Sequence, residues 1–124
     1  MILGIGTDLV EISRIRKVGL DRLSKRILSE KEQKDRPNME GRLAEWLAGR
    51  FAAKEAVAKA VGTGIGAMIG FQDILVHKDA KGKPCVAISP AVYQRLGWDE
   101  HVEIHLSVTH TKDYAIAFAV VESR

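Results

Sequence analysis

The chain has 124 residues, 46% of them hydrophobic and 28% charged, a globular usage that removes compositional support for disordered, collagenous and coiled-coil classes. Its length suits one domain (1–124) with a single core, and no apolar run approaches the roughly 18 residues needed to span a bilayer. The net charge of +3 is too modest to require nucleic acid, and the seven aromatic residues do not interleave with the basic segment as stacking platforms would.

The opening Met1-Ile-Leu-Gly-Ile-Gly-Thr-Asp lacks the cationic and sustained apolar regions of a secretory signal. Cys85 is the only cysteine, so no intrachain disulfide and no cysteine-based zinc site is expected. These features predict a cytoplasmic protein without a membrane partner. Residues 2–10 read as a strand, with Asp8 set in an apolar run. A short helical stretch follows through Arg14–Lys17. Between Arg14 and Arg26, six cations (Arg14, Arg16, Lys17, Arg22, Lys25, Arg26) accompany one acid, Asp21. Such a cluster either steers an acidic partner or is a solvated face whose counter-charges come from elsewhere in the fold.

Ser29 and Glu32 have capping-box spacing, which starts a helix that ends before Pro37. The longest helical pattern covers 41–61 and stops at Gly62-Thr-Gly-Ile-Gly. The period then becomes two: 71–77 and 84–88 read as paired strands around the Asp79-Ala-Lys-Gly turn. Ser89-Pro90 opens a short helix ending at Gly97. Strands at 102–110 and 114–121 close the chain as a hairpin across Thr111-Lys-Asp. In the last strand Ala115, Ala117 and Ala119 form one face, which admits another element or another subunit at close range. The predicted class is α+β: a largely antiparallel sheet packed on one long helix and shorter ones.

Several residues break these patterns. At about 100° per residue, Leu43, Leu47, Val57, Ala58 and Val61 share one side of the 41–61 helix, and Arg50 and Lys54 project into it. Unpaired buried cations are costly, so each requires an internal ion pair, a ligand anion or a route to water. Glu55 and Lys59 lie on another face beside Ala48 and Ala52, either as a surface pair or beneath a ligand. Asp8 shares its side of the strand with Gly6 and Val10, and a carboxylate there calls for an arginine or a metal. If Asp8 and Glu55 meet, their oxygens suit Mg²⁺. His105, Ser107 and Thr109 share one face of their strand, as ligand contacts or as the wet side of a sheet. The glycine loop lacks the usual phosphate-loop pattern and follows a helix, so it reads equally as a plain helix cap.

In combination, Gly4-Ile-Gly-Thr-Asp-Leu-Val-Glu-Ile-Ser-Arg-Ile, Trp46-Leu-Ala-Gly-Arg-Phe-Ala-Ala-Lys-Glu-Ala-Val-Ala-Lys-Ala, Val61-Gly-Thr-Gly-Ile-Gly, Phe71-Gln-Asp-Ile, Gly82-Lys-Pro and Leu106-Ser-Val-Thr-His-Thr resemble the holo-acyl-carrier-protein synthases, the short phosphopantetheinyl transferases. The pieces occur in the family's order and span nearly the whole chain; Thr109 stands where relatives often carry serine. The resemblance implies transfer of 4′-phosphopantetheine from coenzyme A to a serine of apo acyl carrier protein in fatty acid biosynthesis. It implies Mg²⁺ held by Asp8 and Glu55, with Lys59 on a phosphate oxygen. Lys54, Lys59, Gly62, Gly64, Gly66, Gly82, Lys83, Pro84, His105, Ser107 and Thr109 are the implied coenzyme A contacts. Arg14, and less strongly Arg22, Lys25 and Arg26, would meet the acidic carrier protein. The resemblance also implies a homotrimer with sites between subunits, for which the alanine face would serve. The rival reading is a non-catalytic module that binds a nucleotide or an acidic protein through the basic cluster.

Overall fold

The computed structural model describes residues 1–124. Its organising element is α4 (Glu40–Val61), whose alanines at 44, 48, 52, 53, 56, 58 and 60 are buried on nearly every side. Alanine is the strongest helix former and also the smallest chiral side chain, so this helix can be both regular and closely surrounded. One flank packs on a three-stranded antiparallel sheet of β1 (Ile2–Glu11), β5 (Tyr114–Ser123) and β4 (Val102–His110), in the order β1-β5-β4. The other flank meets α1 (Ile12–Val18), α2 (Leu20–Ile27) and β2 (Ile74–Lys78). β2 pairs with β3 (Pro84–Ile88) as a separate hairpin, and α3 (Glu30–Gln33) and α5 (Pro90–Leu96) complete the α+β arrangement. No helix is long and apolar enough to cross a membrane.

Two expected boundaries are set by local chemistry. Ser29 Oγ accepts from the Glu32 backbone N–H while the Glu32 carboxylate accepts from the Ser29 backbone N–H, the reciprocal capping box that opens α3. Gly62 ends α4 at φ 101°, a left-handed position that favours glycine. The expected strand at 71–77 begins instead with a 3₁₀ turn at Phe71–Asp73, where the Asp73 carboxylate accepts from the Gly70 N–H, and only Ile74–Lys78 extends. Helix α2 had no sequence-based prediction because Gly19 leads it without a side-chain cap. Its Leu23 and Ile27 are nevertheless buried on one side, at helical spacing.

The alanine face takes a different role from the one expected of it. Ala115, Ala117 and Ala119 are fully buried and lie across the ladder from Val10, Asp8 and Gly6, on the side of the sheet that packs on α4. It is therefore an internal face and is not available to another subunit. The reverse side of the same sheet carries Ile5, Leu9, Tyr114, Ile116 and Phe118, all exposed.

Candidate active site

Close packing of β1 against α4 builds the site. A Cβ on Gly6 would stand 2.1 Å from the Ala56 carbonyl oxygen, and one on Gly4 would stand 1.9 Å from the Ala60 carbonyl oxygen. Only glycine permits this approach. It brings Asp8 onto the last turns of α4, where Lys59 Nζ donates to Asp8 Oδ1 at 3.0 Å and to the Thr7 carbonyl at 3.1 Å. Glu55 lies one turn earlier on the helix and lines the same cleft as Asp8, a space of about 500 Å³. Burial raises the Glu55 pKa above the ordinary carboxylate value, and the Asp8 charge raises it further, while Lys59 and Arg26 oppose both. Two mutually repelling carboxylates lining one cleft form a hard-oxygen donor set that fits a divalent cation such as Mg²⁺.

The rim of this cleft is basic and its wall apolar. Arg14 and Arg26 line it beside Leu9 and Phe51. The Arg26 guanidinium sits 5.7 Å from the Phe71 ring centroid, and Phe71 stacks on Phe51. Arg14, Arg22 and Lys25 form no ion pair, so the basic cluster is only partly neutralised within the chain: Arg16 pairs with Glu40 at 3.1 Å, and Asp21 with Arg36.

Lys54 departs from its expected place among the coenzyme contacts. Its side chain is 0% exposed, and Nζ donates to Glu32 Oε1 at 2.6 Å, the Ile27 carbonyl at 2.5 Å and the Phe71 carbonyl at 3.0 Å. All three ammonium donors are thus used inside the protein, and Lys54 is an internal ion pair with none left for a phosphate. Arg50 is treated differently. No ion pair holds it; its guanidinium lies 4.9 Å from the Trp46 ring centroid and its buried Nε has no hydrogen-bond partner. Burial lowers its pKa, with Glu32 and Asp35 partly offsetting the effect.

Arg50 opens onto a second cleft of about 440 Å³, lined also by Arg42, Lys78, Gly82, Pro84 and His110. Gly82 and Pro84 therefore stand in a mainly cationic groove, with Glu45 its one acid, at the tip of a hairpin whose turn is held by Asp79. The Asp79 carboxylate accepts from the backbone N–H groups of Lys81 at 2.8 Å and Lys83 at 2.9 Å, which lowers its pKa. Lys83 is exposed and does not line the groove. Arg42, Lys78 and His110 had no assigned role from sequence; with Arg50 they are scattered from residue 42 to residue 110 with no periodicity that joins them, and only the fold does.

The other expected nucleotide contacts lie elsewhere. His105, Ser107 and Thr109 pair with Val120, Phe118 and Ile116 and so face outward with the exposed apolar residues; His105 Nε2 is 2.9 Å from Glu122 Oε1. The amides of Gly62, Gly64 and Gly66 donate inward to carbonyls of Ala58, Lys59 and Ile69, so any contact of this loop with coenzyme A would use groups other than these N–H donors. Within one chain, then, Asp8, Glu55 and Lys59 converge, Gly82 and Pro84 share a different cleft, and His105, Ser107 and Thr109 lie on the outer sheet face.

A strand-and-central-helix frame thus presents two carboxylates, Asp8 and Glu55, with the Lys59 ammonium bonded to one of them, a set of groups compatible with phosphate chemistry. The chain belongs to the 4′-phosphopantetheinyl transferase superfamily, whose family model matches residues 4–119. At nearly full length it is similar to the holo-[acyl-carrier-protein] synthase of Bacillus thuringiensis (strain Al Hakam): 46% identical over 126 residues, covering 99% of this chain and 98% of that one. Among solved structures, the Bacillus anthracis str. Ames holo-(acyl-carrier-protein) synthase in complex with CoA (3′,5′-ADP) superposes with a TM-score of 0.86 at 45% identity, covering 100% of this chain and 99% of that chain. The Neisseria meningitidis synthase gives a TM-score of 0.89 at 40% identity, covering 99% and 100%. The Helicobacter pylori synthase, solved in complex with coenzyme A, gives 0.80 at 32%, covering 95% and 99%.

Proposed function

We propose that this chain transfers 4′-phosphopantetheine from coenzyme A to a serine of apo acyl carrier protein, in the service of fatty acid biosynthesis. The serine oxygen forms a bond to the β-phosphorus of coenzyme A, the bond from that phosphorus to the bridging oxygen breaks, adenosine 3′,5′-bisphosphate leaves with the bonding electron pair, and the serine proton passes to solvent. The observation that carries this reading is the meeting of Asp8 and Glu55 in one cleft lined by Arg14 and Arg26, with Lys59 bonded to Asp8 beside it, in a chain of the phosphopantetheinyl transferase superfamily.

Asp8 and Glu55 would hold Mg²⁺. When bound, that ion supplies charge neutralisation at the coenzyme A diphosphate. Lys59 offers an ammonium to a phosphate oxygen beside it. Such transfers depend mainly on positioning and electrostatic stabilisation, so the residues serve by holding charge in place. Arg42, Arg50, Lys78 and His110, in the groove with Gly82 and Pro84, are suited to the nucleotide phosphates. Arg14 and Arg26 face an acidic partner whose serine must enter beside Asp8.

A homotrimer with shared sites belongs to the same proposal. The nucleotide groove and the acid cleft have no lining residue in common, and an exposed apolar sheet face is available to bury. The 26-residue hydrophobic core supports one folding domain, and the cytoplasm is the proposed compartment, consistent with a free Cys85. Incubation with coenzyme A, Mg²⁺ and apo carrier protein, followed by mass spectrometry of the carrier, tests the proposal: one added phosphopantetheine supports it, and an unmodified carrier across several cognate candidates overturns it.

A further inference from the structure

The Lys59 ammonium occupies a position with two incompatible claims on it. It donates to Asp8 Oδ1 at 3.0 Å and to the Thr7 carbonyl at 3.1 Å, so it covers an oxygen that a metal at Asp8 and Glu55 would need. The two partners differ in freedom: the Asp8 side chain is 16% exposed and the Lys59 side chain 51%. The carboxylate is fixed by a strand that glycines press onto α4, whereas the ammonium ends a flexible stem that reaches solvent. An ion pair whose ammonium is half exposed on a flexible stem is held weakly, so a doubly charged cation can displace it at small cost.

We propose that Lys59 is a resident counter-cation to Asp8 that a divalent metal must displace, so that the same lysine opposes metal binding to the free protein and becomes available to a phosphate once displaced. The inference rests on the metal reading above and adds a direction to it. Binding at Asp8 and Glu55 is penalised by a positive charge already in contact with one ligand oxygen, and the penalty is relieved when an anion draws the ammonium away. Metal and coenzyme are thereby coupled through one side chain, and such coupling is reciprocal. A lysine that merely braced β1 against α4 would act in the opposite sense, because its loss would loosen the carboxylates and weaken the metal.

The test uses Mn²⁺ alone, titrated into the full-length protein and followed by the electron paramagnetic resonance signal of the free ion. Lys59→Met, with Lys59→Gln as a second neutral variant, is expected to bind Mn²⁺ about three- to tenfold more tightly than the parent, within the range of a single exposed ion pair. Lys59→Arg, which keeps the charge, is expected to bind as weakly as the parent. Adding Asp8→Asn to Lys59→Met is expected to abolish the gain. Thermal unfolding of each variant establishes that it is folded. If the neutral variants bind Mn²⁺ equally or more weakly while the parent binds it, Lys59 is a brace and the proposal fails with the metal reading intact. If neither the parent nor any Lys59 variant binds Mn²⁺, the proposal and the metal reading fail together.

Discussion

At Lys54 and Glu55, adjacent residues on one helix, opposite treatments of charge serve opposite ends. Lys54 is sealed in with Glu32, whose second oxygen accepts from the Val76 backbone N–H at 3.0 Å, so the pair ties α3, α4 and β2 together. Removing one partner strands the other as a buried charge, and Lys54→Ala is expected to cost about 3–5 kcal/mol, read by chemical denaturation. Glu55 instead carries an elevated pKa from burial and from Asp8. Its folded-state value exceeds the unfolded one, so the folded chain binds the proton more tightly, and stability falls as pH rises from the unfolded value through the folded one. Glu55→Gln removes that loss. At pH 7–8 the variant is expected to melt at or above the parent temperature while transfer is abolished; a clear drop in melting temperature would contradict the repulsion argument.

At the scale of elements, the contact between β1 and α4 is the decisive one, and it hangs on glycine. Gly6→Ala places a methyl 2.1 Å from the Ala56 carbonyl oxygen, and the backbone must yield. The expected cost is about 1–3 kcal/mol, with loss of transfer because Asp8 moves with the strand; an unchanged melting curve with full activity would show that the two elements are looser than described. The elements themselves were largely legible. Ser29 and Glu32 announced α3, Gly62 announced the end of α4, and alternation from Val102 to His110 announced β4. Less was legible where partners are distant in sequence. Helical arithmetic set Arg50 and Lys54 in the same apolar stripe without showing that Glu32, from α3, reaches Lys54 alone. The alanine alternation of β5 marked a close-packing face, yet only the register opposite Gly6 and Asp8 reveals α4 as what it packs against. Arg42, Lys78 and His110 join Arg50 only through three-dimensional folding.

The whole molecule presents two unfinished surfaces. The outer sheet face exposes Leu9 at 61%, Ile116 at 44% and Phe118 at 43%, a hydrophobic area that assembly would cover. Phe118→Asp is expected to shift the protein toward monomer in light-scattering chromatography and to lower transfer with it; an unchanged mass with unchanged activity would remove the shared-site proposal. The second surface is the basic segment from Arg14 to Arg26, in which Arg14, Arg22 and Lys25 have no ion-pair partner and Arg14 and Arg26 line the acid cleft. Such a field acts on encounter with an acidic partner and is screened by salt. Arg14→Glu is therefore expected to raise KM for the carrier protein several-fold, with the defect shrinking as ionic strength rises; a salt-independent effect would point to a packing role for Arg14. In the proposed function these surfaces serve one event at Asp8 and Glu55, and the mass of the carrier protein reports it most directly. With coenzyme A and Mg²⁺ the parent chain is predicted to add one phosphopantetheine to the carrier, and Asp8→Ala and Glu55→Gln, both folded, to add none. A carrier left unmodified by the parent, or modified fully by both variants, would contradict the account.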